Sequence, residues 1–226
     1  MNNNKSIIRA VAVAALAVAA LSAHAQVAGT RMFSIGATRI APNTSSGTLS
    51  APSPPGTMVD VGADTQPTIA LGYMLTDHWA VEVPIGLVFK HSITGTGAID
   101  GVGQIGTVKA LPISVFAQYR FLEPTARLRP YAMLGLTYAK FYGERGSATL
   151  NALNPINPAG GTGLSVESRF ALTPGLGVTA MINDRWFVDL HYSRSFLRTT
   201  TTLSSGQTIS TRLNPDAYTI SVGTSF

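Results

Sequence analysis

His191 and Ser193 have the residue types and the spacing that nucleophilic catalysis requires. Residues two apart lie on the same face of a β-strand, so the imidazole could act as a general base toward the hydroxyl. Glu167 or Asp189 would have to orient the imidazole, and neither acid stands at a diagnostic spacing. The pair therefore suggests either a hydrolase or an ordinary inward-facing histidine.

A second group of polar residues predicts a buried network with no chemistry of its own. If the chain forms strands, side-chain alternation places two acids, two arginines and a glutamine on inner faces, near one end of their strands. A lone buried charge is costly, but two acids facing two arginines can neutralise one another. We expect a polar plug made of Glu82, Gln118, Arg120, Arg129 and Asp189.

The elements that position these residues are β-strands, because apolar residues alternate with small or polar ones along the chain. In the last segment Tyr218, Ile220 and Val222 share one face, and small polar residues occupy the other. A period of two predicts a strand with one apolar face. The same pattern predicts eight strands, over 30–41, 66–75, 79–90, 111–121, 128–142, 166–182, 186–193 and 218–226.

The connections between these strands alternate in length. The segments 42–65, 91–106, 143–163 and 199–213 are long and polar, whereas 76–78, 122–127 and 183–185 are short turns. Long external loops and short internal turns are typical of a transmembrane barrel with both termini on the periplasmic side. The turn ends of the strands carry the aromatic residues expected of a membrane girdle, Trp79, Tyr119, Phe121, Trp186 and Phe226.

The N-terminus predicts export. Lys5 and Arg9 precede an apolar run, 10–21, and Ala23-His24-Ala25 forms a small-x-small cleavage site. The run is too short to span a bilayer, which needs roughly 20 helical residues. We expect residues 1–25 to be a signal peptide cleaved after Ala25, and residues 26–226 to form one barrel domain.

The composition excludes several functions. Charged residues make up only 12% of the chain, yet beyond the N-terminal segment no apolar run is long enough for a membrane-spanning helix. Few charges without such a run fit an all-β fold, an eight-stranded antiparallel transmembrane β-barrel. The net charge of +5 is scattered, so nucleic acid is not an expected partner. Cysteine is absent, and no nucleotide-binding or metal-binding motif occurs. We expect no cofactor and no metal.

The inner face above the predicted plug is apolar. Eight strands enclose only enough space for side chains or one small ligand, so a water-filled pore for hydrophilic solutes is not expected. We predict an apolar vestibule for small hydrophobic solutes, open to the outside. The alternation of inward and outward side chains along a strand, which we call parity, predicts the residues that line it: Val88, Val108, Ala110, Pro112 and Phe116.

Two inward prolines, Pro84 and Pro112, lie on neighbouring predicted strands. Proline cannot donate to a strand ladder and is normally kept out of paired strands. The prolines therefore predict a lateral exit through the wall, and a tolerated kink without a gap is the alternative. The charges below the vestibule favour sideways release of an apolar solute into lipid.

Ordered motifs run along the chain: Ile69-Ala-Leu-Gly-Tyr-Met-Leu-Thr-Asp-His-Trp, Leu111-Pro-Ile, Arg129-Pro-Tyr, Asn183-Asp-Arg-Trp-Phe-Val-Asp and Val222-Gly-Thr-Ser-Phe. Together they resemble the OmpW family of outer-membrane proteins, from the first predicted strand to the last residue. The resemblance implies an eight-stranded barrel in the bacterial outer membrane that takes up small hydrophobic molecules passively, as the related alkane-uptake proteins do. Its partners would be membrane lipids and lipopolysaccharide. The terminal Phe226 resembles the signature that the barrel-assembly machinery recognises.

Two alternative functions remain open. His191-Tyr192-Ser193 resembles the His-x-Ser arrangement of membrane-embedded lipid A deacylases of the PagL type, but parity turns both side chains inward, away from an acyl chain in the membrane. The long polar loops are consistent with a structural or surface-recognition barrel bound by phage, toxin or host factors, although solvated loops usually have this composition. We expect that the protein is not an enzyme.

Overall fold

The computed structural model describes residues 26–153 and 161–226, so the predicted signal peptide lies outside the described residues. These residues form fourteen strands and one short helix, α1 (Ala148–Leu153), and no helix among them is long and apolar enough to cross a membrane. The strands are β1 (Arg31–Ala41), β2 (Ser45–Ser46), β3 (Thr57–Val61), β4 (Asp64–Met74), β5 (Trp79–Gly86), β6 (Phe89–Gly97), β7 (Gln104–Arg120), β8 (Leu128–Gly146), β9 (Leu164–Val166), β10 (Arg169–Met181), β11 (Trp186–Arg194), β12 (Arg198–Leu203), β13 (Thr208–Arg212) and β14 (Asp216–Ser225).

Eight antiparallel strand positions close into a barrel. The order around the barrel is β1, β4, β5 with β6, β7, β8, β10, β11 and β14, and β14 pairs with β1 to complete the ring. β5 and β6 are consecutive parts of one barrel strand, and both pair with β7. This topology confirms the predicted fold class.

The distribution of side chains is inverted relative to a water-soluble protein. Ile35, Leu136 and Ile220 are each 56% exposed on the outside, whereas Arg120 and Arg129 are buried inside. Alternation along each strand produces this arrangement, because successive side chains point to opposite faces of the sheet. An apolar outer face around a polar interior is the arrangement of a barrel surrounded by lipid.

Large inward side chains pack opposite glycines on the neighbouring strand. Tyr131 faces Gly177 in the β8–β10 register, and a Cβ atom on that glycine would lie 2.3 Å from the tyrosine Cζ. Phe116 faces Gly135 in the same way, with 2.5 Å between the added Cβ and the ring. The glycines therefore make room for aromatic rings that fill the narrow lumen.

The external segments contain more regular structure than the sequence predicts. Strands β2, β13, β12 and β9 form a four-stranded sheet, and β3 pairs with the upper part of β6. The predicted loop 91–106 is wrong for most of its length, because β6 continues to Gly97 and β7 begins at Gln104. Ser, Thr and Gly indicate a loop by composition, but β-branched threonine favours an extended strand once a partner strand is present.

The alternation changes phase between β5 and β6. Leu87 is 59% exposed, whereas Phe89, which has the same parity, is 1% exposed. The strand is interrupted between Gly86 and Phe89, so the pattern restarts with the opposite face inward. The predicted faces of Val88 (inward) and Phe89 (outward) are therefore wrong, because that prediction continued the alternation of β5 past this interruption.

Candidate binding cavity and lateral seam

Arg120, near the end of β7, is the centre of the polar plug. Its Nη1 donates to Gln26 Oε1 at 2.8 Å and to Thr179 Oγ1 at 2.9 Å, and its Nη2 donates to Gln118 Oε1 at 2.9 Å. Its guanidinium carbon lies 5.0 Å from the centre of the Tyr131 ring, a cation–π distance. The charge is thus held by neutral oxygens and by a π face.

Arg129, at the start of β8, joins the plug to the periplasmic turns. It is fully buried, and it donates to the backbone oxygens of Gln26 at 2.9 Å, Asp77 at 2.6 Å and Leu122 at 3.3 Å. Backbone carbonyl groups in a turn have no ladder partner, so an arginine fork can satisfy several of them at once. The periplasmic end of the lumen is closed by these contacts.

Asp189 on β11 is one of the two acids of the plug, and three side chains surround its carboxylate. Tyr131 donates to Oδ1 at 2.8 Å, Thr179 donates to Oδ2 at 2.6 Å, and His191 Nδ1 lies 3.3 Å from Oδ1. Thr179 also accepts from Arg120, so one hydroxyl links the carboxylate to the guanidinium. A buried charge with this many partners is compatible with a folded barrel.

The five predicted plug residues lie together, but they do not pair as the sequence suggested. Glu82 is partly buried beside Gln118, and the other four members are buried. Within residues 26–153 and 161–226, no ion pair joins Arg120 or Arg129 to an acid. Sequence reasoning missed Thr179 and Tyr131, whose inward parity was a usable signal. It also missed Gln26, which precedes the first strand and therefore has no periodicity to reveal it.

Hydroxyl groups form a belt higher in the lumen. Thr137 bonds to Ser114 at 2.8 Å and to Thr173 at 2.9 Å, and Thr173 continues to Ser195 at 2.9 Å. On the opposite wall, Thr38 bonds to a threonine on each neighbouring strand, Thr68 and Thr219. Because these hydroxyls bond to one another, they offer few free donors to water.

A cavity of about 540 Å³ occupies the external half of the lumen. Two groups of buried apolar side chains form its walls, one on the barrel, the external sheet and α1, and one around Leu197 and Leu213. Four of the five predicted vestibule residues line it, and Val88 does not, because the phase change puts Phe89 there instead. The lining includes Phe89, Ile93, Ile105, Val108, Ala110, Pro112 and Phe116.

The barrel wall beside this cavity has an interrupted ladder. β5 pairs with β7 only as far as Glu82 opposite Phe116, and pairing resumes in β6 at Phe89 opposite Ala110. Between these points, residues 83–88 and 111–115 have no ladder partner across the interface, although 83–86 remain paired with β4 and 111–115 with β8. We call these two segments the lateral seam.

The lateral seam is apolar on its outer face, and its inner face carries one polar side chain, Ser114, which is bonded to Thr137. Pro84, Gly86 and Pro112 line the cavity on the inside. On the outside, Ile85, Leu87, Ile113 and Val115 are between 48% and 59% exposed. Both predicted prolines thus lie beside the cavity, in a wall of the described barrel where the ladder is broken.

His191 and Ser193 both face the lumen and line the cavity. The Nδ1 of His191 is directed to Asp189, and no hydrogen bond joins His191 to Ser193 in the part of the chain that the structure describes. An imidazole must reach the hydroxyl to act as its base. Residues 26–153 and 161–226 also contain no cluster of three or more His, Asp or Glu side chains suited to a metal ion.

The outer surface completes the description of the site. Trp79, Tyr119 and Phe121 are exposed at the turn ends of their strands. The ring centre of Tyr119 lies 5.2 Å from that of Trp79 and 5.2 Å from that of Phe121. A closed eight-stranded barrel with this girdle, an apolar outer face and a polar plug is a small outer-membrane β-barrel.

The sequence model of the OmpW family matches residues 27–226, and the chain belongs to this family. Outer membrane protein W of Escherichia coli (strain K12) is 30% identical over an alignment 231 residues long. The alignment covers 97% of this chain and 100% of that protein. The protein is therefore located in the bacterial outer membrane.

Two solved structures share the fold. The crystal structure of the outer membrane protein OprG from Pseudomonas aeruginosa has a TM-score of 0.79 and 24% identity, and the match covers 89% of this chain and 97% of that one. The solid-state NMR structure of outer membrane protein AlkL in lipid bilayers has a TM-score of 0.65 and 18% identity, covering 91% and 93%. These likenesses concern the barrel architecture.

Proposed function

We propose that this protein takes up small hydrophobic molecules passively, through the external cavity and out through the lateral seam into the membrane. The observation that carries the proposal is the break in the β5/β6–β7 ladder, because it lies directly beside the apolar cavity. The route requires no cofactor and no chemical step.

The plug gives the route its direction. A solute in the cavity that moved further down the lumen would leave apolar walls for Arg120, Asp189 and their bonded partners. Burying a polar group without a partner is costly, and an apolar solute would displace such partners while supplying none. Sideways movement through the lateral seam instead exchanges one apolar surface for another.

Partners follow from the location. We infer that the apolar outer face is covered by outer-membrane lipid and lipopolysaccharide. We also infer that the barrel-assembly machinery recognises Phe226 before closure, since its backbone then pairs with Arg31, with N–O distances of 2.8 and 2.9 Å. The sequence resemblance to alkane-uptake barrels implies apolar solutes as the cargo.

Proline replacement tests the exit. The Pro84→Ala and Pro112→Ala double variant restores two backbone donors at the seam, so we expect several-fold slower uptake of an alkane-like solute into proteoliposomes. Pro174→Ala is the control, because Pro174 lies in β10, which borders neither side of the lateral seam, and its side chain does not line the cavity. Equal uptake by the double variant and the wild type would exclude a proline-dependent exit.

A cavity variant tests the entrance separately. Ala110→Asp places a carboxylate in the apolar wall, so we expect apolar solutes to be excluded while circular dichroism shows an intact barrel. Unchanged uptake by this folded variant would show that solutes do not pass through the cavity.

A further inference from the structure

The external border of the barrel carries outward-facing basic residues on several strands. Arg39, Lys90, Lys109, Lys140 and Arg194 are all exposed there. Below Lys109 on the same strand, the outward residues Leu111, Ile113 and Val115 are apolar. From Lys109 to Tyr119 the strand covers roughly 33 Å, or about 25 Å along the axis at the usual tilt, which is the height of an apolar membrane band.

One acid, Asp216, offsets part of this charge on one side of the barrel. Arg194 forms an ion pair with Asp216, with 2.7 Å between Nε and Oδ1. Arg39 lies diagonally from the same carboxylate, because Ala41, two residues further along β1, is opposite Asp216. On this side, one carboxylate therefore lies near both arginines.

The other side has three lysines on adjacent strands. Lys90 and Lys109 are directly opposite in the β6–β7 register. Lys140 on β8 lies opposite Leu111, which places it diagonally from Lys109. We call Lys90, Lys109 and Lys140 the lysine cluster.

Within the described residues, no acid forms an ion pair with the lysine cluster. None of the ion pairs formed there includes a lysine. The nearby carboxylate of Asp64 accepts from the backbone N–H of Lys90 and from the Gln66 amide. Like charges directly opposite on a sheet are destabilising, so this arrangement favours an anion from outside the chain.

We propose that the lysine cluster binds the phosphate groups of a glycolipid in the outer leaflet. The cluster faces away from the cavity, at the height where the headgroups of lipids around the apolar band lie. Lysine is a compact point charge suited to phosphate, and basic residues at this level attract anionic headgroups. The lipid would lie immediately above the lateral seam, since Lys90 follows it and Lys109 precedes it in sequence. The proposal does not depend on uptake, because the cluster and the cavity are on opposite faces of the wall.

Native mass spectrometry of the full protein with bisphosphorylated lipid A tests the proposal. Each basic residue at an anionic surface contributes about fivefold in affinity, so Lys109→Gln should weaken binding by about that factor. The triple change K90Q, K109Q and K140Q should weaken it by about a hundredfold. Arg39→Gln removes one border charge outside the cluster, so its affinity should stay near the wild-type value.

Two further arms separate the possible ligands. Dephosphorylated lipid A keeps the acyl chains, and we expect it to bind the wild type as weakly as lipid A binds the triple variant. Millimolar inorganic phosphate should not displace lipid A. Equal binding of both lipids, an unaltered triple variant with a normal circular dichroism spectrum, or displacement by free phosphate would each overturn the assignment.

Discussion

Asp189 illustrates how individual residues keep charge inside this barrel. Its two oxygens accept from Tyr131 and Thr179, and His191 lies within reach, so each oxygen of the carboxylate has a hydrogen-bond partner. Arg120 contacts the same Thr179, and the positive and negative charges are linked through a hydroxyl rather than by direct contact. This arrangement replaces the hydration that both groups lose on burial.

Removal of the carboxylate should destabilise the barrel strongly. Asp189→Ala leaves the Tyr131 and Thr179 hydroxyls without an acceptor and removes the carboxylate that is linked to Arg120 through Thr179, so we expect a loss of about 3 kcal/mol in the free energy of unfolding. Tyr131→Phe removes one of the three bonds and should cost about 1 kcal/mol. Urea unfolding in lipid vesicles measures both. Equal stability of the two variants would contradict the central place of Asp189.

Parity predicted which residues are buried at this level, and it could not predict their partners. Four of the five predicted plug residues are buried and Glu82 is partly buried, because alternation fixes the face of each strand. Their pairing depends on the rotation of neighbouring strands and on Gln26, which lies outside the first strand. The expectation that acids and arginines meet directly used charge alone and ignored the neutral acceptors nearby.

At the scale of strands, the close approach of Tyr131 to Gly177 couples β8 to β10. Gly177→Ala adds a methyl group 2.3 Å from the tyrosine Cζ, and the ring must move away from Asp189. Overpacking of this kind costs about 1–3 kcal/mol, which urea unfolding in vesicles detects. Gly163→Ala is the control, because its added atom would be in ordinary contact, 3.5 Å from Ser204. Similar stability of both variants would refute the tight fit.

The interrupted ladder makes a prediction for backbone dynamics. Amides within 83–88 and 111–115 that do not bond to β4 or β8 have no partner across the lateral seam. We expect them to exchange hydrogen at least about tenfold faster than amides in 79–82 and 116–119, measured by NMR in lipid nanodiscs. Uniform protection along both strands would mean that the wall is closed there.

The strands differ in how far the sequence could predict them. β1, β11 and β14 follow their predicted ranges within a few residues, since each has one apolar and one polar face from end to end. The sequence did not predict β6 or the upper part of β7, because these segments extend beyond the membrane. Their outward residues are no longer apolar from Lys90 and Lys109 onward. A pattern based on lipid contact cannot report strands that extend into water.

On the scale of the whole molecule, three layers are stacked along the barrel axis. Arg129 and its partners close the periplasmic end, the hydroxyl belt and the apolar cavity occupy the middle and upper lumen, and the external sheet continues the cavity wall with Val166, Leu203 and Ile209. The composition predicted the inside-out barrel correctly. The external sheet depends on pairing between distant segments, such as Ser46 with Thr211, which no local pattern contains.

Solute flux tests the central claim most directly. Proteoliposomes containing the wild-type protein, the Pro84→Ala and Pro112→Ala double variant or Pro174→Ala are supplied with an alkane-like solute and with a hydrophilic solute of equal volume. An apolar route with a lateral exit predicts that the wild type and Pro174→Ala accelerate entry of the apolar solute alone, and that the double variant loses most of this acceleration. Comparable acceleration of the hydrophilic solute would instead indicate a water-filled path through the plug and contradict the lateral route.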